Sequence, residues 1–185
     1  PSSAASDVYK RQVIALIDPE FTYTCPPRVT ADSGIDALTH AVESYLTLDS
    51  AEFDRGGQVD PGYSGRSSLT MLFAREAIDL CARFLMRTYK DGADTEARIG
   101  MAYASHYAAL SYGGAGLNAV HGIAYAVAGL THATHGSTNA VMLPYVLDAL
   151  RTERPAELLE VASLFGIETK DPVAAVAQVP VVIRN

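Results

Sequence analysis

The sequence predicts an all-α domain preceded by one orphan strand. Two observations carry this reading. Apolar residues recur at helical spacing through most of the chain beyond Pro27, with capping residues where each periodic stretch begins or ends. Only one run, Val13-Ile14-Ala15-Leu16-Ile17, has strand character, and no convincing second strand follows it.

Composition sets the outer bounds. The chain has 185 residues, 49% of them hydrophobic, enough for one domain with a real core. A formal charge of −7 argues against a nucleic-acid surface, which would carry a basic stripe. No apolar run reaches the length of a membrane span, and the start is not a signal peptide, so a cytoplasmic protein is expected. Cys25 and Cys81 fit no zinc or disulfide spacing and read as reduced thiols.

The elements follow in order. Residues 1–12 show no periodicity and resemble a translated adapter, so they are expected to be a non-native extension. The run from Val13 to Ile17 is expected to be a buried strand, stopped by Asp18-Pro19, whose neighbours lay upstream. Pro26-Pro27 precede a helix running to about Leu46. Residues 49–63 are polar and Gly-rich and read as a loop. Ser67 or Ser68 caps a long helix with Leu69, Leu72, Phe73, Ala77, Leu80, Cys81 and Phe84 as its stripe. It stops near Lys90. Asp94 caps the next helix, which runs to about Tyr112, where Gly113-Gly114-Ala115-Gly116 reads as a helix-to-helix turn. A short helix from Asn118 to about Leu130 carries His121, and another runs from near Ser137 to about Leu150 with Pro144 as a kink. Pro155 opens a further helix that Gly166 closes. Beyond Lys170 the helical signal weakens, and the end reads as cut off.

Asp36 and His40 lie four residues apart in the first helix, which puts both on one face. A carboxylate and an imidazole so placed can share a metal ion or a proton. Five histidines are present, and His121 and His135 fall at Gly-rich helix junctions where a short antiparallel pair would bring them together. With Asp36 and His40 they would make a set of three nitrogens and one oxygen, suited to Fe²⁺ or Zn²⁺. D-x-x-x-H is common on helices by chance, and a surface or core histidine is the alternative. His106 reads as structural, His132 as exposed or as a group that supports the ligands, with the exposed reading favoured, and Glu43 as a surface acid or one that supports the ligands. H-E-x-x-H, E-x-x-H and G-x-S-x-G are all absent, which removes zinc-protease, di-iron and serine-hydrolase readings.

Three stretches together resemble the iron-containing (group III) alcohol dehydrogenases. They are Ile17-Asp18-Pro19-Glu20-Phe21 with Cys25-Pro26-Pro27; residues 30–45 with Gly34-Ile35-Asp36-Ala37-Leu38-Thr39-His40; and residues 116–122 followed by 135–144. The resemblance runs from about Val13 to about Gly166. It implies that Asp36, His40, His121 and His135 are metal ligands. It further implies hydride transfer between an alcohol or aldehyde and NAD(P), with Fe²⁺ or Zn²⁺ polarising the substrate oxygen. Many members carry a second histidine four residues after the one matching His121. Tyr125 stands there instead, so no general acid or base is assigned.

The resemblance implies a Rossmann-like nucleotide domain of which residues 13–24 keep only the last strand and linker. Residues 25–185 would then be the helical metal-binding domain, without the family's final helices. The implied partner is a small alcohol or aldehyde, with no nucleic acid or membrane, and a homo-oligomer of the full-length protein is left open. Two other readings stand beside it: a lyase related to dehydroquinate synthase, and, for the isolated chain, a non-catalytic metal-binding helical module.

Overall fold

The computed structural model describes residues 14–59, 61–168, 173–174, 177–179 and 181. Among these, six α-helices account for nearly all regular structure: α1 (Pro27–Leu46), α2 (Ser68–Lys90), α3 (Thr95–Ala115), α4 (Ala119–Thr131), α5 (His135–Ala149) and α6 (Pro155–Leu164). Helix α1 is the centre and packs against all of the other five. Its second half is accordingly buried nearly all round, from Ala37 to Leu46 with His40 as the exception. Polar groups on that half are satisfied within the helix or by its neighbours. Thr39 donates to the Ile35 carbonyl at 2.7 Å, and the hydroxyls of Ser44 and Ser111 meet at 2.7 Å between α1 and α3.

The helix ends follow from the sequence. Pro27 occupies the first turn of α1, where its missing N–H costs nothing. Ser67 forms a capping box with Thr70 at the start of α2, and Asp94 accepts from the Ala97 amide at the start of α3. Helix α6 closes in a Schellman arrangement: Ile167 N–H bonds to the Ala162 carbonyl, Gly166 N–H to that of Ser163, and Gly166 takes a φ of 70°.

Two buried arginines fasten the ends of α1. Arg66 donates to the Tyr45 carbonyl, to both carboxylate oxygens of Asp49 at 3.0 Å, and to Glu157 at 2.6 Å. It thereby satisfies a carbonyl left open at the C-terminus of α1 and ties it to α6. Arg98 donates to Thr30, to the Gly92 carbonyl and to the Cys25 carbonyl, joining the segment before α1 to the α2–α3 turn.

Three expectations are corrected. The orphan strand does not form: Ile14 to Ile17 are exposed and without regular structure, and Val13 lies outside the described residues. An apolar run becomes a strand only when a neighbour takes its N–H and C=O groups, and none is present among the described residues. Pro19–Thr22 form a 3-10 turn instead, capped by Asp18. Second, α3 passes through Gly113 and Gly114 and stops at Gly116, where φ is 87°. Packing and the Ser64 N–H on the Gly114 carbonyl hold the extra turn despite the poor helix propensity of glycine. Third, Leu69 and Leu72 are exposed, and the stripe of α2 runs instead through Ala74, Ala77, Ile78, Leu80, Cys81 and Phe84. The extension over residues 1–12 lies outside the described residues, as does most of the chain beyond residue 168. Among the described residues no helix is long and apolar enough to cross a membrane.

Glycine sets how closely α3 approaches α2. A Cβ on Gly100 would enter the Phe84 ring. Gly100→Ala is expected to destabilise the fold by about 1–3 kcal/mol through overpacking. Urea unfolding monitored by circular dichroism measures this, and an unchanged midpoint would refute it.

Candidate metal centre

Three helices bring their side chains to one point. Helix α1 supplies Asp36, His40 and Glu43, spaced so that all three share a face. Helix α4 supplies His121 in its first turn, and α5 supplies His135 and Asn139, again four residues apart. The approach of α5 depends on Gly136. A Cβ there would collide with the Asp32 carbonyl, so glycine lets the start of α5 rest on the α1 backbone and carries His135 to Asp36.

Asp36 is the hub. Its Oδ1 lies 3.3 Å from Nε2 of His121 and 3.3 Å from Nε2 of His135, and its Oδ2 lies 3.8 Å from Nδ1 of His40. Ligand atoms of Asp36, His40 and His121 all fall within 4.8 Å of one another. The rings are layered: Tyr112 stacks on His40 at 4.4 Å between centroids, and His40 on His121 at 4.5 Å. Tyr125 stacks on His135 at 5.1 Å.

Glu43 stands behind His121 and is 2% exposed. Its carboxylate takes Nδ1 of His121 at 2.5 Å and the backbone N–H groups of Val120 and His121 at 2.6 and 3.2 Å. It therefore caps α4 and fixes the ring so that Nε2 faces Asp36. Of the two roles read for Glu43, a surface acid is excluded by this burial. Its place seven residues after Asp36 was the available signal.

Electrostatics follow from these contacts. Burial pushes the Asp36 carboxyl up, but the hydrogen bond from His121 and the neighbouring imidazoles outweigh it and hold the group below the ordinary carboxylate range. Burial dominates at His40 and pushes it below the ordinary imidazole value against the pull of Asp36. At His121 burial also pushes down, but hydrogen bonds and charge from Asp36 and Glu43 win and hold it up at about 9.

The structure thus brings Asp36, His40 and His121 to one point and places His135 against Asp36. His106 lies on α3 away from the cluster, tilted against Tyr107, and His132 is the exposed left-handed C-cap of α4. Asn139 and Tyr112 are contacts that sequence reasoning missed. Asn139 donates to Asp36 Oδ1 at 2.7 Å, and its position one turn beyond His135 was the only signal. The donor set, three imidazoles and one carboxylate on rigid helices with the Nδ1 of His121 anchored, fits a borderline divalent cation such as Fe²⁺ or Zn²⁺.

The chain is thus a helical domain that collects three imidazoles and a carboxylate from three helices. The chain belongs to the iron-containing alcohol dehydrogenase family: residues 63–183 match the model described as "Fe-containing alcohol dehydrogenase family, C-terminal". It is 37% identical over 153 residues to long-chain-alcohol dehydrogenase 1 of Geobacillus thermodenitrificans, covering 83% of this chain and 35% of that protein. It is 34% identical over 174 residues to alcohol dehydrogenase 4 of Saccharomyces cerevisiae, covering 93% of this chain and 41% of that one. The crystal structure of a 1,3-propanediol oxidoreductase superposes with a TM-score of 0.79 at 32% identity, over 90% of this chain and 40% of the other. The chain therefore spans only about two-fifths of the length of these relatives.

The raised His121 value carries a pH consequence in the metal-free chain. A group whose value rises on folding stabilises the fold fully below its unfolded value, near 6.5, and that contribution is lost as pH climbs through about 9. Thermal stability is therefore expected to fall between these limits more steeply in the wild type than in His121→Gln. Melting curves across that range check it, and parallel profiles would refute it.

Proposed function

We propose that this chain is the metal-binding helical part of a longer oxidoreductase that moves a hydride between an alcohol or aldehyde and NAD(P). The observation that supports this most is the approach of His40, His121 and His135 to the Asp36 carboxylate in a chain of this family. Fe²⁺ or Zn²⁺ held by these four would supply a Lewis acid for the substrate oxygen.

The chain's own residues prepare the site. Glu43 holds Nδ1 of His121 and thereby keeps Nε2 directed at the shared point. Tyr112 and His121 sandwich the His40 ring and limit its rotation. Residues 13–24 fit a linker from a nucleotide-binding domain, and specificity for NAD or NADP would reside there. Among the relatives, a long-chain alcohol, an alcohol and a propanediol appear in the names, which supports an alcohol or aldehyde as the substrate class without fixing its length.

Calorimetric titration tests the metal assignment. Zn²⁺ is expected to bind the chain at one site, and Asp36→Ala is expected to abolish that binding. Glu43→Gln, which leaves all four ligands in place, is expected to weaken binding by about 10–100-fold. Equal affinity in wild type and Asp36→Ala would sink the assignment.

The isolated chain is further expected to oxidise no NADH with any small aldehyde, metal-loaded or not. The full-length parent is expected to do so and to lose activity on chelation. Absorbance at the nicotinamide band reads both, and turnover by the chain alone would contradict the division of labour between the two parts.

A further inference from the structure

Asn139 is wholly buried, and its carboxamide is oddly placed for a structural amide. Its Nδ2 donates to Asp36 Oδ1 at 2.7 Å and lies 3.2 Å from Nε2 of both His121 and His135. Its Oδ1 is buried with no hydrogen-bond partner among the described residues. A buried carbonyl left unpaired is costly, and a chain normally avoids it. The amide therefore gives up one favourable contact in order to aim its NH₂ at the cluster. The three atoms it faces belong to three of the four residues assigned above as ligands.

We infer that Asn139 competes with the cation for Asp36 Oδ1 and the space beside the two Nε2 atoms, its carboxamide NH₂ already donating to that carboxylate oxygen. This rests on the metal reading given above. An NH₂ group and a divalent cation are both positive toward those atoms, so they exclude each other. Rotation about the Cβ–Cγ bond exchanges Nδ2 for Oδ1 and turns the unpaired carbonyl toward the positive charge. Asn139 is thus a positioning residue with two settings. One satisfies the ligand cluster without metal, and the other accompanies loading. The cost of turning it lowers the affinity of the wild-type site.

Two measurements on the full chain test this with Zn²⁺ as the probe. In wild type, the Asn139 side-chain ¹H–¹⁵N pair, assigned by its loss in Asn139→Ala, is expected to shift and lose exchange protection as Zn²⁺ saturates. In Asn139→Ala, the melting temperature is expected to drop more without metal than with saturating Zn²⁺. By linkage, Zn²⁺ should then bind the variant about tenfold more tightly, the loss of one charged hydrogen bond from the metal-free side. A merely structural asparagine would lower both melting temperatures equally and leave affinity unchanged or weaker, which overturns the inference. An Asn139 pair unmoved at Zn²⁺ saturation in wild type overturns it even if the variant does not fold. Failure of wild type to bind Zn²⁺ at all overturns the metal reading, and this inference with it.

Discussion

The buried carboxylate of Glu43 is the contact on which the site depends. It sits on the most enclosed stretch of α1, faces the first turn of α4 and takes Nδ1 of His121 together with two backbone amides. A carboxylate at 2% exposure is expensive unless its oxygens are filled, and here they are filled by a helix terminus and a charged ring. The same contact does two jobs. It docks α4, which otherwise shares few contacts with α1, and it decides which His121 nitrogen is presented to Asp36. Without it, α4 would hold His121 but not its orientation.

Legibility in the sequence tracked how local each relation is. Asp36 and His40 share one helix, so their spacing fixed their common face before any tertiary information. Helix ends were legible where a side chain caps its own helix, as at Ser67, Asp94 and Asn118, and where a glycine takes a positive φ, as at Gly166. The failures are non-local. The apolar run before Asp18 would have needed a partner strand to define it. The extra turn through Gly113-Gly114 is held by the Ser64 amide, 50 residues away in sequence. Tyr112 reaches His40 only because α3 crosses α1 there. Burial of Glu43 and Asn139 follows from the docking of α4 and α5, which no single-helix pattern reports.

The family resemblance supplied what geometry on one helix could not, the pairing of His121 and His135 with Asp36. The structure adds the reason such a pairing is available. Gly136 removes a Cβ that would hold α5 off the α1 backbone, and Asn139 then falls beside the carboxylate. A signature read as His-Gly followed by Asn is, in physical terms, an imidazole beside Asp36, a close approach and a hydrogen-bond donor on consecutive turns of one helix.

The charge balance gives a reason for a second carboxylate, Glu43 behind His121, beside the Asp36 that faces all three imidazoles. His121 lies in the first turn of α4, and His135 opens α5. Each helix N-terminus acts roughly as half a positive charge. Two of them together offset about one carboxylate, which would leave a lone Asp36 with little net attraction for a divalent ion. Glu43 neutralises the α4 terminus directly, through the amides of Val120 and His121, and frees the charge on Asp36. The need for Glu43 follows from placing histidines at helix N-termini, where they are well oriented but electrostatically disfavoured as partners of a cation. A site built from mid-helix histidines would not require it.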